Sequence, residues 1–217
     1  MRFTPVTPAR LIDDLAAWME NLRVGDAQDG AAHRRIGVDG AGEAGSTDLA
    51  NAVAERIRAT GRPVIRVSTA WWWRPASLRL ELGRTDVDML LYGWVDSAAL
   101  RREVLEPLGP GGSGRYLPRL RDPDTDRSVR DERVAVAGSA LLIVDGPFLL
   151  AAELGLDAVV HLQVSPARLT RVLPPGKQWW SAAFARYQEV EEPGEAADVV
   201  IAYDHPHAPA IRWVNGS

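Results

Sequence analysis

A glycine-rich stretch has the residue types and spacing of a loop that binds phosphate groups. It reads Gly40-Ala41-Gly42-Glu43-Ala44-Gly45-Ser46-Thr47. In the pattern G-x-x-x-x-G-K-[ST], backbone N–H groups and a helix N-terminus surround the phosphates, and the lysine neutralises their charge. Gly40, Gly42 and Gly45 keep the glycine frame and Thr47 matches, but Ser46 occupies the lysine position. The stretch therefore predicts either a phosphate loop without its cation or a tight turn without a ligand.

An acidic residue stands at the carboxyl end of a predicted buried strand. The apolar run Leu142-Ile143-Val144 leads directly into Asp145. One carboxylate together with the Thr47 hydroxyl is the minimum protein contribution to a Mg²⁺ site beside phosphates. Asp145 therefore either holds Mg²⁺ or a water, or accepts a hydrogen bond from a loop N–H. We expect ATP and Mg²⁺ as cofactors only if phosphate transfer operates, and otherwise no cofactor.

The aromatic residues are concentrated in two places. Three of the eight tryptophans are consecutive, Trp71, Trp72 and Trp73, and two more form the pair Trp179-Trp180. In an extended segment, Trp71 and Trp73 would lie on one face and Trp72 on the other. We expect at least one of the three in the core. The others then remain to line an apolar binding site.

The tryptophans are followed by two arginines, Arg74 and Arg84. A guanidinium holds a carboxylate or phosphate through two parallel hydrogen bonds, so both arginines are candidate anchors for a ligand. The alternative is ion pairing at the surface, for which Glu81, Asp86 and Asp88 are the nearest partners.

Short apolar runs without alternation predict the strands that must position these residues, because central parallel strands are covered on both faces. The predicted strands are 35–39, 63–67, 140–144, 158–162 and 197–201. The predicted helices are 8–23, 47–61, 96–105 and 182–189, and the predicted loops are 24–33 and 109–114. The expected architecture is a three-layer, doubly wound α/β domain over residues 1–217, with a mostly parallel five-stranded sheet. Ligands are expected at the carboxyl ends of the strands.

Composition excludes several classes of function. A length of 217 residues with 46% hydrophobic residues suits one domain. The net charge of −4 without charge runs gives no footprint for nucleic acid or a membrane surface. There is no cysteine, and the histidines at 33, 161, 205 and 207 lack ligand spacing, so we expect no metal site. The sequence shows no apolar leader and no long apolar span, so we expect a cytoplasmic protein. The expected partner is a small molecule, and a homo-oligomer is left open.

Five stretches over residues 34 to about 205 resemble, in order and spacing, the uridine kinase-like branch of P-loop nucleoside kinases. They are Ile36-Gly37-Val38-Asp39-Gly40, Arg74-Pro75 with Arg84-Thr85-Asp86-Val87-Asp88, Tyr116-Leu117-Pro118 through Thr125-Asp126-Arg127, Leu142-Ile143-Val144-Asp145-Gly146, and Ala197-Asp198-Val199-Val200-Ile201. The resemblance implies a kinase fold with an ATP site, a neighbouring acceptor site, a small hairpin on the substrate side and a lid at about 168–180.

The sequence departs from this family where its chemistry is performed. The family has a segment resembling Ser-x-Asp-Asp-Phe-Tyr after the second strand, but Ala70 and Trp71 stand at the matching positions. The histidine expected two residues before Arg127 is Thr125, and the lid arginines are reduced to Arg168 and Arg171. Lys177, the one lysine of the chain, could supply a cation from the lid.

These observations define the candidate residues and three hypotheses. Asp145, Arg74 and Arg84 are the catalytic candidates. Ligand contacts are predicted for Trp71, Trp72, Trp73, Arg127, Arg168 and Arg171. The leading hypothesis is a kinase-like protein that no longer transfers phosphate and binds a hydrophobic or aromatic molecule in the former acceptor pocket, with a biosynthetic role such as cyclisation left open. The alternatives are an ATP-dependent uridine kinase with atypical phosphate contacts and a non-catalytic binding module.

Overall fold

The strands form one large sheet and one small one. The computed structural model describes residues 2–22, 33–136 and 138–214, so most of the predicted loop 24–33 lies outside the described residues. Within them, the strands are β1 (Thr4–Pro5), β2 (Arg34–Asp39), β3 (Val64–Ser68), β4 (Arg115–Tyr116), β5 (Val134–Ala135), β6 (Leu141–Gly146), β7 (Ala158–Gln163), β8 (Val199–Ala202) and β9 (Ala210–Trp213). The large sheet has the order β1-β9-β8-β7-β2-β6-β3, and β4 pairs with β5 in the small hairpin.

Helices connect the parallel strands. The α-helices are α1 (Pro8–Asn21), α2 (Ser46–Arg58), α3 (Ala76–Arg79), α4 (Ser97–Leu100), α5 (Pro166–Val172), α6 (Trp180–Val190) and α7 (Pro193–Ala196). The predicted helix 96–105 is divided, because α4 continues as a π-helical segment, Arg101–Leu105. The predicted first helix begins as expected, where the Thr7 hydroxyl accepts a hydrogen bond from the N–H of Arg10 at 3.2 Å.

Both faces of the central strands are buried, as the continuous apolar runs predict. Leu141 and Ile143 of β6 join the core under α1 and α2. Leu142 and Val144, which point the other way, join a second core under α4 and the π-helical segment. This arrangement gives the predicted three layers around a mostly parallel sheet.

The sheet has seven strands instead of the predicted five. The five predicted runs are the five parallel strands, and the additional strands are β9, antiparallel to β8, and β1, antiparallel to β9. The strand β1 has only two residues, which is too short to form a recognisable apolar run. None of the helices that the structure describes is long and apolar enough to span a membrane.

The carboxyl ends of β2, β3 and β6 bring the candidate site residues to one edge of the sheet. The glycine loop follows β2, the tryptophan segment follows β3, and Asp145 lies at the end of β6. Gly146 has φ of +152°, and a Cβ there would lie 1.9 Å from the hydroxyl oxygen of Thr69. Only glycine therefore allows the turn after β6 to pack this closely against the turn after β3.

Candidate functional site

Three backbone N–H groups of the glycine loop donate hydrogen bonds inside the loop itself. Residues Gly42–Ala44 form a 3-10 turn, and α2 begins at Ser46. The N–H of Ala44 donates to the carbonyl of Ala41 at 3.0 Å, and the N–H of Gly45 donates to that of Gly42 at 2.9 Å. The N–H of Ser46 also donates to Ala41, at 3.4 Å. The carbonyls of Ala41 and Gly42 therefore accept all three of these bonds.

The residue at the lysine position is also turned inward. Ser46 is fully buried, and its hydroxyl donates to the carbonyl of Gly40 at 2.9 Å. The ring of Tyr203 covers the next turn, because a Cβ on Gly45 would lie 2.9 Å from its Cε1 atom. Gly45 has φ of +114°, so both its backbone and its neighbour require glycine. The Ser46 side chain and the Tyr203 ring thus both pack against the loop.

An ion pair joins the lid to the loop. The Lys177 ammonium lies 2.7 Å from Oε1 of Glu43, which is the acidic residue inside the glycine loop. The same ammonium lies 4.6 Å from the ring centroid of Trp180. Lys177, the residue that could supply a cation from the lid, therefore reaches the loop, but it pairs with the loop's own carboxylate.

Asp145 is held by two partners at the bottom of the site. Its Oδ1 accepts from Arg66 Nη2 at 2.8 Å, and its Oδ2 accepts from the Thr47 hydroxyl at 2.7 Å. Asp145 is buried, and burial lowers the pKa of Arg66, although the Asp145 charge opposes this shift. The two residues that would hold Mg²⁺ are thus bonded to each other and balanced by a guanidinium.

The tryptophan segment is not extended, so the predicted alternation of its faces is wrong. Thr69–Trp72 forms a 3-10 turn. Trp72 is fully buried in the core under α4, and Trp71 packs partly exposed against the same core, with Arg119 4.9 Å above its ring. Trp73 turns to a different cluster on the lid side. The turn therefore separates Trp73 from its two neighbours.

Trp73 belongs to an aromatic cluster with tryptophans from two other segments. Its ring centroid lies 5.2 Å from that of Trp94, and Trp94 lies 5.4 Å from Trp180, in edge-to-face geometries. Trp179 joins at 6.0 Å from Trp94. The Arg79 guanidinium lies 5.0 Å from the Trp73 ring and 4.8 Å from the Trp94 ring. This geometry is favourable for both aromatic pairs and cation–π contacts.

Next to this cluster lies a cavity of about 140 Å³, which we call the tryptophan cavity. It lies beyond the carboxyl ends of β3 and β6, which is where ligands bind in open α/β sheets. Its aromatic and apolar lining includes Trp73, Trp94, Trp180, Phe148, Leu90 and Leu91, and its charged lining consists of Arg101 and Glu153. Trp71 and Trp72 do not line it.

Arg79 also ties the tryptophan segment to the hairpin region. Its Nη2 lies 3.1 Å from Oδ1 of Asp126, and Oδ2 of Asp126 accepts from the N–H of Ala76 at 2.9 Å. The pKa of Asp126 is lowered, first by the Ala76 N–H and then by Arg79, against the effect of burial. Asp126 holds a left-handed φ of +56°. The bonds on both carboxylate oxygens stabilise this unusual backbone.

The remaining predicted contacts are dispersed. Within the described residues, the side chains of Arg74 and Arg84 make no ion pair, and Asp88 pairs instead with Arg186 at 2.9 Å. Arg84, Arg127 and Arg171 are exposed, and none lines the tryptophan cavity. Arg168 is half-buried, and its Nε has no hydrogen-bond partner among the described residues. A role for these arginines in ligand binding stays a prediction.

A buried polar network that no sequence pattern predicted lies below the glycine loop. Oδ2 of Asp39 lies 2.6 Å from Nδ1 of His161 and accepts from the Tyr187 hydroxyl at 3.0 Å, while Oδ1 accepts from the N–H of Leu149. Burial and the Asp39 charge raise the pKa of Tyr187. A histidine inside an apolar strand run was the available signal, because a buried histidine needs a polar partner. The network fixes the end of β2, directly before the glycine loop.

The parallel sheet with a glycine loop between β2 and α2 is the fold that this chain shares with solved structures of kinases. The chain resembles a structure of a possible uridine kinase from Bacillus stearothermophilus, with a TM-score of 0.68 and 22% identity over 88% of this chain and 97% of that one. A candidate fructose transport system kinase from Silicibacter sp. TM1040 has a TM-score of 0.55 and 21% identity, over 88% and 92% of the chains. The YGR205w protein has a TM-score of 0.55 and 10% identity, over 94% and 96%. No protein-family model matches the sequence, and no curated protein matches it either.

Proposed function

We propose that this protein is a kinase-fold protein that does not transfer phosphate and that binds a small ring-containing molecule in the tryptophan cavity. The observation that carries the proposal is the contrast between two neighbouring sites at the same edge of the sheet. In the loop that would hold phosphates, three N–H groups donate to loop carbonyls, and the carboxylate of Glu43 pairs with Lys177. The cavity beside the lid is bordered by aromatic rings.

The site that would bind the phosphate donor supports the first half of the proposal, which is that the protein does not transfer phosphate. Phosphate transfer depends on positioned cations and N–H groups around the transferring group. Here Ser46 replaces the lysine, Lys177 is paired with Glu43, and both Asp145 oxygens are engaged. Binding a triphosphate would require these contacts to break, and each charge-assisted bond that is lost weakens affinity by about tenfold or more.

The site that would bind the phosphate acceptor supports the second half of the proposal, which is that the protein binds a ring-containing molecule. Ala70 and Trp71 provide no carboxylate to orient an acceptor hydroxyl, and general-base catalysis is typically worth ~10² to 10⁴ in rate. The cavity volume of about 140 Å³ is close to that of an engineered apolar cavity that holds benzene, about 150 Å³. A single ring fits such a space, so the cavity supports the binding of a small ring-containing molecule.

Isothermal titration calorimetry of the full chain tests both halves. We expect no binding of Mg·ATP at micromolar concentrations and measurable binding of benzyl alcohol, a neutral single-ring probe. Trp73→Ala removes a wall of the cavity and should abolish the benzyl alcohol signal. Trp71→Ala is the matched control, because Trp71 is the neighbour that does not line the cavity. Tight binding of Mg·ATP would contradict the first half, and equal losses in the two variants would contradict the second.

A further inference from the structure

The tryptophan cavity has two charged side chains in its lining, Arg101 and Glu153. Arg101 is half-buried and Glu153 is exposed, so the two mark the side of the cavity that faces solvent. Nη1 of Arg101 donates to the backbone carbonyl of Glu153 at 3.0 Å, which orients the guanidinium. Within residues 2–22, 33–136 and 138–214, no carboxylate pairs with Arg101.

The other cations near the cavity lie against its aromatic walls. Arg79 lies over the rings of Trp73 and Trp94, and Lys177 lies over the ring of Trp180. Cations are attracted by the negative face of an aromatic ring. Rings that already hold a cation attract a second one less, so the walls disfavour a positively charged ligand.

The charges of these wall cations are already balanced by partners. Asp126 pairs with Arg79 at 3.1 Å, and Glu43 pairs with Lys177 at 2.7 Å. Arg101 is therefore the cation of the lining whose charge is left for a ligand. Its Nε and Nη2 edge is the edge that a carboxylate binds through two parallel hydrogen bonds.

We propose that the ligand of the tryptophan cavity is a small aromatic carboxylate, with its ring among the tryptophans and its carboxylate on Arg101. This inference rests on the proposed function and specifies the chemistry of its ligand. Glu153 acts against it, because its carboxylate repels an anion at the same side of the cavity. Removing the Glu153 charge should therefore strengthen binding, whereas removing the Arg101 charge should weaken it.

Three probes with the same ring separate charge from shape. Phenylacetate is an anion, phenylacetamide is its neutral isostere, and phenethylamine is a cation of similar length. In calorimetric titrations of the full chain, phenylacetate should bind about tenfold more tightly than phenylacetamide. Phenethylamine should bind more weakly than either.

Variants of the full chain assign the preference to Arg101. Arg101→Gln should bind phenylacetate and phenylacetamide equally, and Arg101→Lys should keep part of the preference because lysine lacks the bidentate edge. Glu153→Gln should raise phenylacetate affinity a few-fold at low salt. Arg102→Gln is the matched control, since Arg102 pairs with Glu103 and does not line the cavity. Thermal melts verify that each variant is folded.

The possible failures are distinguishable. If phenylacetamide binds as tightly as phenylacetate, or if Arg101→Gln keeps the preference, then the ligand is not a carboxylate held by Arg101. The binding of a ring, and with it the proposed function, would still stand. If none of the three probes binds at millimolar concentration, then both the inference and the ligand-binding half of the proposed function are wrong.

Discussion

Ser46 illustrates how one side chain can decide the properties of a loop. Its hydroxyl is fully buried and donates to the Gly40 carbonyl at 2.9 Å, so the position points into the protein rather than toward a phosphate. Ser46→Lys should therefore not create kinase activity. The added ammonium would have to leave the buried position, and Ala70 and Trp71 would still provide no base for the acceptor. The measurement is uridine-dependent release of ADP, with Ser46→Ala as the control for loss of the hydroxyl alone. Uridine phosphorylation by the lysine variant would show that the loop can accept phosphates.

Neighbouring tryptophans should respond differently to truncation. Trp72 is fully buried in the core, so Trp72→Ala should lower the free energy of unfolding by ~3 to 5 kcal/mol. Trp71 is partly exposed, so Trp71→Ala should lower the free energy of unfolding by less than Trp72→Ala does. Denaturant unfolding of the two variants measures the difference. Equal losses would contradict the placement of Trp72 alone in the deep core.

The sequence alone could not separate these tryptophans. Identical residue types in a row carry no information about which one faces the core, and the prediction assumed an extended backbone. The 3-10 turn at Thr69–Trp72 changes the direction of each side chain. The aromatic partner Trp94 lies more than twenty positions away along the chain, so the cavity depends on tertiary contacts that no local pattern reports.

At the scale of the elements, Asp126 connects the hairpin region to α3. Its pKa is lowered in the folded protein, so its carboxylate stabilises the fold above the ordinary aspartate pKa of 3.8 and loses this effect as the pH falls through the lowered value. Asp126→Asn keeps an oxygen for the Ala76 N–H but removes the charge opposite Arg79. The variant should melt at a lower temperature than the original protein near pH 6. This difference should shrink as the pH falls below 3.8. Melting curves from pH 3 to pH 7 test this, and a difference that does not change with pH would contradict it.

The elements that the sequence predicted well are those with strong local signals. The five parallel strands are continuous apolar runs, and the Thr7-Pro8 start of α1 combines an N-cap with a proline at the first helical position. The missed elements are of two kinds and include the antiparallel strands β1 and β9 and the π-helical end of the helix after Asp96. Both depend on pairing and packing with distant segments rather than on local periodicity.

At the scale of the whole molecule, the Glu43–Lys177 pair holds the lid against the glycine loop across 134 positions of the chain. Both side chains are partly exposed, so their coupling should be about 0.5 to 1 kcal/mol. Glu43→Gln and Lys177→Gln should each lower stability slightly, and the double variant should lose less than the sum of the two. Denaturant unfolding of all four proteins gives this coupling, which should decrease at high salt. Strict additivity would show that the pair does not hold the lid.

Lys177 is also a unique site for chemical labelling of a side-chain amine. It is the one lysine among 25 basic residues, so acylating reagents that attack side-chain amines have a single target, at the contact between lid and loop. An ammonium that donates to a carboxylate must release its proton and its partner before it can attack a reagent. The rate of acylation at Lys177 would therefore report how often the contact between Lys177 and Glu43 opens. A reporter group attached there would sit beside Trp180, at the wall of the cavity.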